Sequence, residues 1–222
     1  MGRLKRFCSV ILVILIPVLI ITLSINVVFR LPDAYLFHFN DSQSVDRLYV
    51  NLSSSEMADA ISSFMNQFHP YPEEFQVEEN TGYDMIGIFD SRDSYNMLVL
   101  KRALDISGIF CIVSLLLVAA IHIFFIREEE KKLLRNSFRV GADVSLALIG
   151  VEAFVFSAEH VREGLLRLLG TRTPAEDSNL QMILGEEFWS IMVVFLTVIS
   201  LVVFGICTYA NHRLTRPPRI FF

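Results

Sequence analysis

Leu104-Asp-Ile-Ser-Gly-Ile-Phe-Cys-Ile-Val-Ser-Leu-Leu-Leu-Val-Ala-Ala-Ile-His-Ile-Phe-Phe-Ile126, followed by Arg127-Glu-Glu-Glu-Lys-Lys-Leu-Leu-Arg-Asn-Ser-Phe-Arg139, is the stretch that decides the fold. The first part is apolar over about 20 residues, the length an α-helix needs to cross a bilayer. The second breaks that run with a block of charge. Outward from this stretch the same alternation recurs. The chain reads as spans at 7–29, 104–126, 140–158 and 189–210, separated by polar segments at 30–103, 127–139 and 159–188 and followed by a tail at 211–222. The fold class expected is an all-α polytopic membrane protein, four transmembrane helices with a mostly helical extracellular cap between helices 1 and 2. The first run is too long for a signal-peptide core and no small-residue cleavage site follows it, so it reads as a retained helix.

Charge supplies the orientation. Eleven of the 19 Lys and Arg lie in residues 1–7, 127–139 and 211–222, whereas 30–102 holds 12 acids against 5 bases and 159–187 holds 6 against 3. By the positive-inside rule both termini and the 127–139 loop are expected in the cytoplasm, and both acidic segments outside. Hydrophobic residues make up 53% of the chain, which excludes an ordinary soluble domain. A net charge of −5 and the lack of a basic stripe argue against a nucleic-acid partner, and none is expected. Cys8, Cys111 and Cys207 all sit in apolar runs, so neither a disulfide framework nor a metal site is expected, and no cofactor motif is present. A channel or transporter is disfavoured by the absence of repeats and of spans broken by Gly or Pro pairs.

The segment from Arg30 to Arg102 is too long to be a plain loop. Ser53-Ser54-Ser55-Glu56 has the form of a capping box. Met57, Ile61, Phe64 and Phe68 then succeed one another on one helical face until His69-Pro70-Tyr71-Pro72 ends the pattern. The stripe packs the cap core or lies on the bilayer surface; its opposite face lacks the Lys and Arg of an interfacial helix, which favours the core. Phe75-Gln76-Val77 and Met85 to Phe89 read as short extended pieces. Asp90 caps a helix that starts at Ser91 and has no break before the second span.

Candidate functional residues are sparse. Glu152 interrupts the third span, where an ionised carboxylate is costly, and is either functional or paired with a hydroxyl or amide. His160, just beyond that span with Glu163 three residues on, is a candidate general base or a solvated interfacial histidine. Tyr35, Phe156 and Trp189 belong to an aromatic group near the outer boundary that serves as an interface belt or lines a lipid site.

The layout resembles that of the lipoprotein intramolecular transacylase (Lit) family, within a wider group of Gram-positive integral membrane proteins. The resemblance runs over nearly the whole chain. It is most specific from Ser91 to Lys101, where Asn96-Met97-Leu98-Val99-Leu100-Lys101 is similar to a family pattern His-Met-x-Asp-Val-Lys, and over Leu180 to Trp189, with Tyr35 also fitting. It implies a bacterial plasma membrane protein acting on membrane lipid or a diacylglyceryl lipoprotein. The implied chemistry is O-to-N acyl migration at the outer face, giving a lyso-form lipoprotein. Two histidines are implied to serve as acid and base. One carries over onto His160; the other position is Asn96, and the family aspartate is Val99. An amide donates a hydrogen bond but does not shuttle a proton. Three alternatives are open. His69 or His38 replaces the missing histidine, Tyr95 occupies its place through a shift of one residue, or the chain is a non-catalytic relative that binds lipid or lipoprotein on the same scaffold.

Overall fold

A computed structural model describes residues 2–48, 50–67, 75–80, 85–175 and 178–215. Eight α-helices are present among them: α1 (Gly2–Arg30), α2 (Pro32–Ser42), α3 (Ser54–Asn66), α4 (Ser91–Arg127), α5 (Lys131–Ser157), α6 (Glu159–Leu169), α7 (Asn179–Ile183) and α8 (Glu186–Thr215). A 3₁₀ turn covers Asp46–Leu48, and β1 (Glu78–Asn80) pairs antiparallel with β2 (Met85–Gly87). Helices α1, α4, α5 and α8 are long and apolar enough to cross a bilayer, so the chain is a multi-pass membrane protein.

The helices overrun the apolar segments read from sequence. α4 is one helix from the cap to Arg127. Asp90 caps it, its carboxylate accepting from the Arg92 and Asp93 amides at 2.8 and 2.6 Å, and no proline interrupts its 37 residues. α5 begins at Lys131, so most of the basic 127–139 segment is its first two turns. The reversal itself is confined to a few residues around Glu129, which adopts a positive φ of 57°. The first extended piece falls three residues later than Phe75–Val77, at Glu78–Asn80, while Phe75 and Val77 are buried. The hairpin pairing, not the apolar residues themselves, sets the strand.

The chain divides into two compact units. One comprises residues 1–25, 107–152 and 197–222. Its core is apolar: Leu12, Ile16 and Ile20 of α1, Ile121 and Phe125 of α4, and Leu134, Phe138, Ala142 and Ile149 of α5. Gly141 permits the close approach of α5 to α1, since a Cβ there would lie 2.9 Å from the Ile16 Cδ1 and 3.2 Å from the Val13 carbonyl oxygen. Lys5 pairs with Glu128 and Glu130, both at 3.1 Å, and ties the start of α1 to the α4–α5 turn.

The second unit comprises residues 26–106 and 153–196. The Ser53–Glu56 capping box forms, with the Ser53 amide donating to Glu56 at 2.8 Å, and Met57, Ile61 and Phe64 are all buried, so the α3 stripe faces the cap core. Phe68 and the His69–Pro72 terminator lie outside the described residues. The end of α3 is held by cations. Arg30 donates to the Met65 carbonyl, and Lys101, which is 0% exposed, donates to the Gln67 carbonyl. Both cations also bind Asp105 at 2.8 Å. The carbonyl end of a helix carries partial negative charge, so it helps offset the second cation.

Candidate functional site

The first turns of α4 organise the second unit. Asp93 is buried; one carboxylate oxygen accepts from the Ser178 hydroxyl at 2.6 Å and the other from the Leu180 amide at 3.2 Å. Ser178 in turn caps α7 through the Gln181 amide. Three residues along α4, Asn96 pairs its whole amide with the backbone of one residue: Nδ2 donates to the Arg172 carbonyl at 3.0 Å and Oδ1 accepts from the Arg172 amide at 2.7 Å. The Arg172 guanidinium lies over the Tyr95 ring at 4.1 Å, and Arg92 donates to the Thr173 carbonyl. Asn96 and Tyr95 therefore act together in docking the segment after α6 onto α4.

His160 lies elsewhere. α5 ends at Ser157, and a new helix starts after Ala158, whose extended backbone (φ −81°, ψ 105°) breaks the run. His160 is exposed on the first turn of α6. Glu163 bonds forward to Arg167 at 3.5 Å, an i,i+4 pair, instead of turning back to the imidazole. Beside His160, the Glu159 carboxyl is raised above its ordinary value, first by its hydrogen bond to the Glu186 carboxyl and then by the charge of that group. No hydrogen bond joins Asn96 to His160 among the described residues; His69 lies outside them.

The aromatic residues do assemble. Phe156 stacks on Trp189 with ring centroids 5.9 Å apart, and Phe29 lies 6.4 Å from Phe156 and 6.0 Å from Trp189. Phe188 bridges from Trp189 to Tyr35, which stacks on it at 5.8 Å while donating its hydroxyl to the Phe29 carbonyl. Burial raises the Tyr35 phenol well above its usual range. Nothing in the residue order singles out Arg162, yet it is buried here. Its guanidinium donates to the Phe156 carbonyl at 3.0 Å, satisfying an end carbonyl of α5, and sits 5.5 Å from the Trp189 ring. The sequence signal for it is weak: an arginine just past an aromatic-rich span end.

His38 joins the same cluster. It is buried, packs 5.4 Å from the Phe188 ring, and its Nε2 is 2.9 Å from the Ile183 carbonyl, so that nitrogen carries the proton. Nδ1 has no partner among the described residues, and burial holds the imidazole below its ordinary pKa, against a backbone hydrogen bond that acts the other way. None of its bonds or ring contacts reaches His160. Glu152, in the first unit, accepts from the Ser200 hydroxyl at 3.0 Å through Oε2, while Oε1 is without a partner among the described residues.

No family model matches this chain, and no curated protein matches it in sequence. Solved structures do. The in meso structure of the membrane integral lipoprotein intramolecular transacylase Lit from Bacillus cereus is 13% identical with a TM-score of 0.74, covering 96% of this chain and 97% of that one. A form of the same protein with one histidine replaced by arginine is 14% identical at a TM-score of 0.71, and a form with that histidine replaced by alanine is 15% identical at the same score. At this identity the likeness speaks for architecture alone: the chain has the fold of the Bacillus cereus lipoprotein intramolecular transacylase.

Proposed function

We propose that this chain is a bacterial plasma membrane protein, with both termini cytoplasmic, that uses a transacylase fold to bind membrane lipid or diacylglyceryl lipoprotein at the outer face without transferring the acyl chain. The charge distribution over the polar segments supports the orientation. One observation carries the functional reading. At the position where the resemblance places a catalytic histidine, Asn96 has both halves of its amide engaged by the Arg172 backbone. Ester aminolysis needs a group that accepts the amine proton and one that protonates the leaving alkoxide. Removing one such group costs about 10²–10⁴-fold in rate. The carboxamide does not titrate, and both its nitrogen and its oxygen are already engaged by backbone. What is present is a packed aromatic cluster, Phe29, Phe156, Phe188 and Trp189 with Tyr35, whose half-buried members Phe29 and Phe156 offer apolar surface to an acyl chain.

A second reading is acyl transfer with His160 as base. Its exposed position at the start of α6 favours that reading, because the imidazole is open to a substrate amine. The two readings separate in one experiment. The chain is expressed in a bacterium whose lipoproteins carry only the diacyl form, and lipoprotein N-termini are read by mass spectrometry. Unchanged diacyl N-termini, together with lipoprotein or lipid co-purifying with the chain, are expected. Lyso-form product that disappears in His160→Ala would establish the second reading and overturn the first.

A further inference from the structure

A cleft of about 450 Å³ lies where α2, the 3₁₀ turn and the start of α8 meet, lined by Asp41, Ser42, Arg47, Glu187, Ser190 and Ile191. Its charges have not neutralised one another. Arg47 donates to the Ser42 carbonyl at 3.1 Å, and among the described residues it forms no ion pair with Asp41 or Glu187. All three charges are nonetheless close enough to act on His38 on α2. The cleft thus presents one cation and two carboxylates side by side, each with hydrogen-bonding capacity to spare.

The same face continues into an apolar one. On α8, Glu187 and Ser190 are succeeded at helical spacing by Ile191, Val194 and Phe195. Val194 is 61% exposed, and Phe37 of α2, itself 56% exposed, meets the Phe195 ring edge-on at 5.6 Å. α8 is long and apolar enough to cross a bilayer, and along it the charged and polar positions of the cleft at its start give way to apolar ones.

We propose that this cleft binds the head of a phosphatidylethanolamine molecule, with the phosphate on Arg47, the ammonium between Asp41 and Glu187, and an acyl chain along Phe37, Val194 and Phe195. The charge complementarity selects a zwitterion. An anionic head would face two carboxylates, and a trimethylated ammonium would have no N–H to donate to them. The site rests on the lipid-binding reading above and names the lipid.

The test is native mass spectrometry of the full chain released from detergent micelles. Dioleoylphosphatidylethanolamine, dioleoylphosphatidylglycerol and dioleoylphosphatidylcholine are added in separate runs. The ethanolamine lipid is expected to give the most persistent adduct. Arg47→Ala and the double variant Asp41→Asn with Glu187→Gln are each expected to weaken that adduct about tenfold, the effect of losing a charge-assisted contact, with the melting temperature unchanged. Equal retention of the three lipids, or ethanolamine-lipid binding indifferent to either variant, overturns the site. Lipoprotein co-purification that persists in both variants while ethanolamine-lipid selectivity is absent would leave the broader binding reading standing and remove this site alone.

Discussion

The two units differ in their balance of apolar packing and directed polar bonds, although the first also holds buried polar ties such as Ser200 to Glu152. In the membrane-span cluster, Leu12, Ile16, Phe125, Leu134 and Phe138 meet through apolar packing, and the approach of α5 to α1 depends on one small residue, Gly141. In the cap unit the interior is polar as well as apolar. Lys101, Asp93, Asn96, Arg162 and His38 are all buried, and each positions a neighbouring segment by directed bonds. Packing between spans tolerates many sequences, since lipid is as apolar as the side chains. A buried polar contact tolerates few, because an orphaned partner keeps the full desolvation cost. The cap is therefore where this chain specifies its own geometry, and where single substitutions discriminate most sharply.

The largest effect is expected at Asp105. Asp105→Ala would leave Lys101 and Arg30 without their carboxylate, and breaking a buried pair from one side costs about 3–5 kcal/mol. Asp105 is itself one-third exposed, at 32% of its side chain, which puts the expected loss at the low end of that range. A thermal melt of the purified chain in detergent measures it. A loss no larger than that of a surface substitution would end the contrast between the units.

Gly141→Leu probes the other side of the comparison. The added side chain meets Ile16 and the Val13 carbonyl, so a loss of about 1–3 kcal/mol from overpacking is expected. The same melt reads it, and an unchanged transition would mean that α1 and α5 separate at no cost.

The smallest effect is a pH slope belonging to the cap. His38 is held neutral by burial, against the carboxylates Asp41 and Glu187 and alongside Arg47. Its folded pKa lies below its unfolded one, so the unfolded chain takes up the proton first as pH falls. Stability is then fully present above the unfolded value of about 6.5 and declines below it, by at most about 1.4 kcal/mol per pH unit. His38→Phe should flatten that slope in melts recorded between neutral and mildly acidic pH. A slope unchanged in this variant would assign the pH response to another group.

The four spans, the α3 stripe and its capping box, and the unbroken helix from Ser91 were all legible in the residue order, because hydropathy and capping are local properties. The resemblance to the Lit family, drawn on Ser91–Lys101 and Leu180–Trp189, agrees in architecture with the fold likeness to the Bacillus cereus enzyme. Other features were not legible. Nothing in Asp93 or Arg162 as letters distinguishes a helix-start acid or an interfacial arginine from a buried tie.

The chain by itself determined where it enters and leaves an apolar medium, since about 20 apolar residues in a row have no other stable environment in water. It also placed Asn96 and His160 within two short polar neighbourhoods. Only the tertiary structure decided what those neighbourhoods do. Asn96 is occupied by a backbone 76 residues away. That outcome depends on which partner is nearest in space, and hydrogen bonds fall off too steeply with distance and angle for sequence spacing to choose among partners.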